Sequence, residues 1–303
     1  MLDILSQTFL FFIYIGIGYL FKKIKLLKKE DSQIFATVIM NLTLPCVFFS
    51  SASGIEMNST LFIFMLIGLF VNIFMIIISF VFSHKDDMLL RGTYMIACSG
   101  YDVGNFILPF VTVFFSGLGV IYLCSFNITN TIMSMGMTYA IASTLVHSQY
   151  HFNMKQFLKE LFSSVSFDVY ILIIMIACFH IVIPESLLKV TSSIASVNSF
   201  LVMMMIGLKL EFHIQHSEYK KLLYIIIVRF IGAVILSIFI FFLPIPILAK
   251  QILTITFFGP LVSVSSVFTK KLGYEGDVVA GANTISIIIS MLITTLFIIL
   301  FQI

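Results

Sequence analysis

Ser99-Gly100-Tyr101-Asp102-Val103-Gly104-Asn105-Phe106-Ile107-Leu108-Pro109 is the stretch on which the reading of the chain turns. It lies within an apolar run long enough to cross a bilayer, yet it holds a carboxylate, two glycines, an amide and a proline. In hydrocarbon an unpaired backbone polar group costs several kcal/mol. A proline removes one donor and clashes with the carbonyl four residues back. Such breakers are tolerated at membrane depth only where the freed groups face protein or a water-filled cavity. An ionisable residue at that depth marks a functional site. The stretch therefore predicts a broken helix at such a site, interrupted near Gly104-Asn105 with Pro109 a turn later.

The surrounding composition agrees. Of 303 residues, 60% are hydrophobic and 10% charged, whereas soluble domains carry about 25% charged residues. No soluble core of this size could hide so many apolar side chains, so lipid must cover them. The net charge of +3 implies no nucleic-acid partner, because the lysines cluster at loop edges and form no continuous face. Cys46, Cys98, Cys124 and Cys178 lie in apolar segments without metal-ligand spacing, which predicts helix packing and no metal. The first apolar run has Asp3 where a signal peptide has a positive region, and its lysines follow it. It reads as a retained first transmembrane helix.

Working outward, ten apolar segments of membrane-spanning length can be marked: 3–21, 33–53, 60–82, 91–115, 119–146, 166–184, 190–208, 222–243, 248–268 and 279–302. The seventh has a polar first half, from Thr191 to Ser199, so it either faces a cavity or re-enters. Fourteen of the 17 basic residues fall in loops after odd-numbered segments: Lys22, Lys23, Lys25, Lys28, Lys29, Lys85, Arg91, Lys155, Lys159, Lys209, Lys220, Lys221, Lys270 and Lys271. The opposite side holds Lys189 and Lys250. The positive-inside bias then makes the odd loops cytoplasmic and puts both termini outside. The expected location is the plasma membrane.

The longest polar connection divides the chain into a five-helix repeat over residues 1–146, a cytoplasmic connection over 147–165, and a second five-helix repeat over 166–303. An odd number of spans per half forces opposite orientations, the signature of an inverted repeat. Segment nine carries Phe258-Gly259-Pro260 near its middle, as segment four carries its own interruption. Paired Gly/Pro interruptions in equivalent helices are the sequence pointer to a midplane binding site. The fold class expected is an all-α membrane protein of ten transmembrane helices, a 5+5 inverted repeat with helices four and nine broken and crossing.

Several motifs, in order, resemble those of the auxin efflux carrier and malate permease family, whose fold is related to the bile-acid/sodium symporters. They are Asn41-Leu42-Thr43-Leu44-Pro45, Gly104 to Pro109, Gly207-Leu208-Lys209-Leu210, and Pro260 with Ser263, Ser265 and Ser266. Lys270-Lys271-Leu272-Gly273-Tyr274-Glu275-Gly276-Asp277, Thr284, Ser286 and Ser290 complete the set. The resemblance spans essentially the whole chain. It implies an elevator-type carrier of small organic anions, auxin-like or malate-like carboxylates, with helices one, two, six and seven as scaffold. Asp102 stands where that family has a neutral polar residue, and Gly259 where alanine or methionine is commoner.

The residues themselves suggest how such a site would work. Half-helix N-termini carry unpaired N–H groups and about half a positive charge, so two of them facing each other make an anion site without a buried lysine. Gly104, Asn105, Pro109, Gly259, Pro260, Ser263 and Asn41 are the candidate substrate-binding residues. Asp102 reads as a site for a coupling proton or sodium ion, with Thr43 and Ser265 able to add oxygens; as a structural partner of a buried donor; or as a kink residue. Hydroxyls in mid-helix more often bond back to their own backbone. Arg229 reads equally as snorkelling to the cytoplasmic side or touching substrate. His180, Tyr19, Tyr150, Tyr219 and Tyr224 read as interfacial, and Met203-Met204-Met205 as packing.

An intramembrane aspartyl protease would need a second carboxylate at the depth of Asp102, and Asp277 sits at a helix boundary with the wrong spacing. No Gly-x-Ser-x-Gly motif occurs. No enzymatic activity and no cofactor beyond a coupling ion are expected. The partners expected are a small organic anion, membrane lipid and a second copy of the chain. A substrate sensor or channel-like protein is the alternative.

Overall fold

The computed structural model describes residues 2–51, 59–115, 117–147, 152–179, 181, 183–210 and 218–301. Its helices are α1 (Leu2–Lys23), α2 (Ser32–Ser51), α3 (Ser59–Phe82), α4 (Met88–Cys98), α5 (Val103–Phe114), α6 (Gly117–Val146) and α7 (Met154–Leu161). They continue as α8 (Val165–Cys178), α9 (Glu185–Lys209), α10 (Tyr219–Phe241), α11 (Ile247–Phe257), α12 (Ser265–Lys271) and α13 (Val278–Leu300). The architecture is all-helical, with no strand among the described residues. Among the described residues, six helices, α2, α3, α6, α9, α10 and α13, are long and apolar enough to cross a membrane.

The side chains are arranged inside-out relative to a soluble protein. Along α3, Phe62, Leu66, Phe70, Ile73, Ile77 and Val81 form an exposed apolar stripe, with Leu66 66% accessible. Asn72 and Ser79 on the same helix, and Ser83 just past its end, are buried. Helix α13 repeats the pattern, with Ile288, Leu292, Leu296 and Leu300 outside and Ser286, Ser290 and Thr294 inside. Stripes at intervals of three and four residues mark one helical face. Apolar faces turned outward and polar ones inward suit lipid as the surrounding solvent, consistent with an integral membrane protein.

By contact the helices sort into two packed groups. Helices α1, α2, α8 and α9 form one; α3 to α6 and α10 to α13 form the other. In the first, α1 and α9 approach backbone to backbone: a Cβ on Gly207 would lie 2.1 Å from the Ile15 carbonyl oxygen, and one on Gly18 2.2 Å from that of Met204. Glycine at both positions is therefore a packing requirement. The groups meet where α6 touches α2 and α8, α13 touches α1, and α5 touches α9.

Some details add to the sequence expectations. The polar first half of segment seven belongs to α9, which turns at residues 196 and 197. Its hydroxyls bond to their own helix, Thr191 to the Leu187 carbonyl at 2.9 Å and Ser196 to that of Ser193 at 2.7 Å. The connection 147–165 contains a helix, α7, whose Phe157 and Leu161 are buried. Tyr224 donates to the Ser79 carbonyl at 2.9 Å and lies 4.2 Å from the Tyr94 ring centroid. His180 and Tyr150 lie outside the described residues. Met203, Met204 and Met205 are buried, as packing requires.

Candidate functional site

Segments four and nine are both interrupted. The first break, Ser99–Asp102, separates α4 from α5; the second, residues 258–264, separates α11 from α12. The first falls about a turn before the expected Gly104-Asn105. Gly100 adopts φ +77°, a conformation that favours glycine, and a Cβ there would lie 2.9 Å from Val262. Gly104 and Asn105 instead belong to a π-helical turn, Val103–Ile107, that opens α5. Pro109 follows as a buried second residue of the regular helix, where the widened turn accommodates a residue without an N–H.

The backbone of each break must find partners away from water, and the partners come from other helices. The Gly100 N–H donates to Asn72 Oδ1 of α3 at 2.7 Å. Asn130 of α6 grips Tyr101 from both sides: its Oδ1 accepts from the Tyr101 N–H at 3.0 Å, and its Nδ2 donates to the Tyr101 carbonyl at 2.9 Å. The Asp102 N–H donates to the Pro260 carbonyl at 3.1 Å, joining the two breaks directly. Tyr101 and Leu261 form an isolated antiparallel bridge, and the Leu261 N–H donates to Ser286 Oγ of α13 at 3.2 Å.

Arg229 of α10 completes the arrangement. Its Nη1 donates to the carbonyls of Ala97, Cys98 and Gly100 at 3.3, 2.8 and 3.0 Å. Its Nη2 donates to those of Gly259 and Pro260 at 3.0 and 3.2 Å. The guanidinium carbon lies 4.8 Å from the Tyr101 ring centroid, a cation–π distance. One planar cation thus satisfies carbonyls on both breaks and offsets the partial negative charge where α4 and α11 end. Arg229 is 5% exposed. It neither snorkels to the surface nor lines the cavity beside Asp102, and its donors are spent on backbone. Arginine can occupy such a place because its charge is delocalised and weakly hydrated.

Asp102, 7% exposed, caps the N-terminus of α5. Its Oδ1 accepts from the Asn105 N–H at 3.3 Å and from Asn105 Nδ2 at 2.9 Å. Ser263 Oγ reaches Oδ2 at 3.4 Å, a long contact. The carboxylate therefore occupies one of the two half-helix ends that were expected to hold the anion. Lys209, half-buried at the end of α9, acts on Asp102 electrostatically from the other helix group. Beside Asp102 lies a cavity of about 60 Å³. Asp102, Gly104, Asn105, Asn127, Asn130 and Val262 line it from one group, and Met40, Leu44 and Tyr170 from the other. It lies on the seam between the groups. Its volume suits a few waters or a small ion.

The other candidates divide. Gly259 and Pro260 lie in the second break with their carbonyls held by Arg229; Ser265 is buried at the start of α12. Thr43 is buried in α2, but its hydroxyl donates to Asn198 Oδ1 of α9 at 2.8 Å, away from Asp102. Asn41 does not join the site: it is exposed, and its Nδ2 donates back to the Thr37 carbonyl at 2.8 Å. A π-turn at Ile39–Thr43 sets that register, a feature the Asn-Leu-Thr-Leu-Pro motif does not announce. Asn72, Asn130 and Arg229 were missed as partners of the break, although an amide or guanidinium inside an apolar segment is itself a signal. No metal-holding group of His, Cys, Asp or Glu occurs among the described residues. Comparison with models of known protein families and with curated proteins gave no match.

Proposed function

We propose that the protein is a secondary transporter that moves a small organic anion, a carboxylate or dicarboxylate, by alternating access. The observation that carries this reading is the meeting of two helix breaks at one point, with all the partners described above drawn from protein and a cavity beside them on the seam. Non-helical backbone at membrane depth is costly, and its use beside a cavity between two packed groups is the arrangement of transporter binding sites. The group of α1, α2, α8 and α9 takes the part of a scaffold, and the group holding both breaks that of the moving domain. In this reading the ten segments span the membrane as a 5+5 inverted repeat, with segments four and nine crossing. The anion class comes from the resemblance of the motifs around Gly104, Lys209 and Pro260 to the auxin and malate carriers. Lys209 supplies positive charge near the cavity.

Asp102 opposes an anion, so binding requires its neutralisation by a proton or a sodium ion. Cation and anion then bind better together than apart, and linkage makes the effect reciprocal. Proteoliposomes test this with labelled dicarboxylate under imposed proton or sodium gradients. The wild type should exchange substrate and concentrate it; Asp102→Asn should exchange substrate but no longer respond to the gradient. A variant driven by the same gradient with the same stoichiometry would make Asp102 structural only. Failure of the wild type to exchange any carboxylate would leave the reading without support.

A further inference from the structure

The backbone of the first break fixes which way the amides beside Asp102 point. A backbone N–H only donates and a carbonyl only accepts. Asn130 bonds both of these groups on Tyr101, so its Oδ1 faces the N–H and its Nδ2 the carbonyl. The same Nδ2 donates to Asn127 Oδ1 at 2.8 Å. Asn127 is oriented in turn: Asn130 engages its oxygen, and its own Nδ2 is left pointing elsewhere. Asn127 is almost fully buried and lines the cavity from α6. Tyr170 of α8, also buried, lines it from the other helix group. The Tyr170 ring packs edge-on against Phe48, with centroids 5.0 Å apart. Its hydroxyl end lies over the π-turn of α5, where a Cβ on Gly104 would sit 3.4 Å from Oη. That hydroxyl interacts with the Asn127 side chain across the seam. Neighbouring donors are already committed: the Asn105 N–H and Nδ2 to Asp102, and Asn130 Nδ2 to two oxygens.

We infer that Asn127 and Tyr170 hold the carboxylate group of the transported anion, which binds across the seam and not on the half-helix end of α5. That end is taken by the protein's own carboxylate, Asp102. An amide N–H and a phenolic O–H, one on each wall, supply two donors to a group that only accepts. Hydrogen bonds to an ionised acceptor are the stronger kind. A space of about 60 Å³ takes a head group of this size, a few waters' worth. Met40, Leu44 and Met135 then border the rest of the ligand. Because one donor belongs to each helix group, the bound carboxylate bridges them, and sliding of the groups requires one of the two bonds to break. The inference deepens the transport reading and rests on it for the nature of the ligand.

Tyr170→Phe tests this, since it removes the hydroxyl and keeps the ring against Phe48. In proteoliposomes exchanging labelled succinate at fixed pH and sodium, its half-saturating concentration should rise about tenfold or more, the loss expected for one hydrogen bond to a charged group. Its maximal rate should change much less, and it should still respond to an imposed gradient, which separates Tyr170 from Asp102. Asn127→Ala should raise half-saturation similarly, because Asn130 keeps both bonds to Tyr101; if that variant does not fold, Tyr170→Phe decides alone. A slower maximal rate with unchanged half-saturation would make Tyr170 a latch between the groups. A changed half-saturation for sodium alone would make its hydroxyl a cation ligand. Either result overturns the assignment, as does wild-type behaviour of Tyr170→Phe. Thermal melting of both proteins with and without succinate needs no transport, because a ligand that binds the folded state raises its stability. Stabilisation of the wild type that is lost in Tyr170→Phe upholds the assignment even where exchange is absent, and the transport reading alone then fails. A wild type neither stabilised by succinate nor exchanging it overturns the assignment.

Discussion

Arg229 shows how much one side chain can settle at the scale of a residue. It was legible as a cation inside an apolar segment, but its partners were not, because they belong to backbone 30 to 132 positions away. Snorkelling is the cheap solution for a lone cation; here five carbonyls at two helix ends provide the alternative. Arg229→Met should leave those carbonyls without donors, at about 1–3 kcal/mol for each buried orphan. Arg229→Lys should recover only part of the loss, since one ammonium cannot reach both breaks in the plane of a guanidinium. Thermal melting of the detergent-solubilised protein should rank wild type above Arg229→Lys above Arg229→Met. Identical melting of wild type and Arg229→Met would mean that the bonds to the breaks contribute no net stability.

At the scale of the element, the apolar segments were readable because hydrophobic length alone requires them. Each folds as helix, whole or interrupted, within the described residues. The exact position of the first break was not readable. Propensity points to Gly104 and Pro109, whereas the chain opens where Asn72, Asn130 and Arg229 can satisfy it, and those partners are supplied by tertiary structure. Asn105 then has a different part from the one its motif suggests: both its backbone and side-chain N–H groups orient the Asp102 carboxylate. Asn105→Ala should reach the membrane but lose transport, by freeing that carboxylate at the mouth of α5. Pro260→Ala should also slow transport, by giving residue 260 an N–H and allowing α11 to extend through its break. Initial rates of labelled substrate uptake, set against surface expression, check both. Wild-type rates in the two variants would place the site elsewhere.

At the scale of the whole molecule, the orientation proposed from loop charge and the seam seen in the packing each allow a test. The uneven loop charge predicts that a cysteine at Lys189 reacts with an impermeant maleimide in sealed cells. One at Lys155 should react only after permeabilisation. Labelling of Lys155→Cys in sealed cells would reverse the topology. The seam permits a sharper test, because alternating access requires the two groups to move past each other. Gly104 of α5 and Leu44 of α2 face one another across it: a Cβ on Gly104 would lie 3.3 Å from Leu44 Cδ1. Movement of either group by one helical turn, about 5.4 Å, would separate such a pair. In a background with Cys46, Cys98, Cys124 and Cys178 replaced by serine, Gly104→Cys with Leu44→Cys should therefore accept a short bifunctional cross-linker. Once linked, the protein should lose exchange. Each single variant treated with the same reagent separates loss by tethering from loss by filling the cavity. The reducible form of the linker adds a second control, since cleavage should restore exchange if tethering is the cause. Undiminished exchange in the fully cross-linked protein would show that this part of the seam does not slide, and that access must alternate by a smaller motion around the breaks.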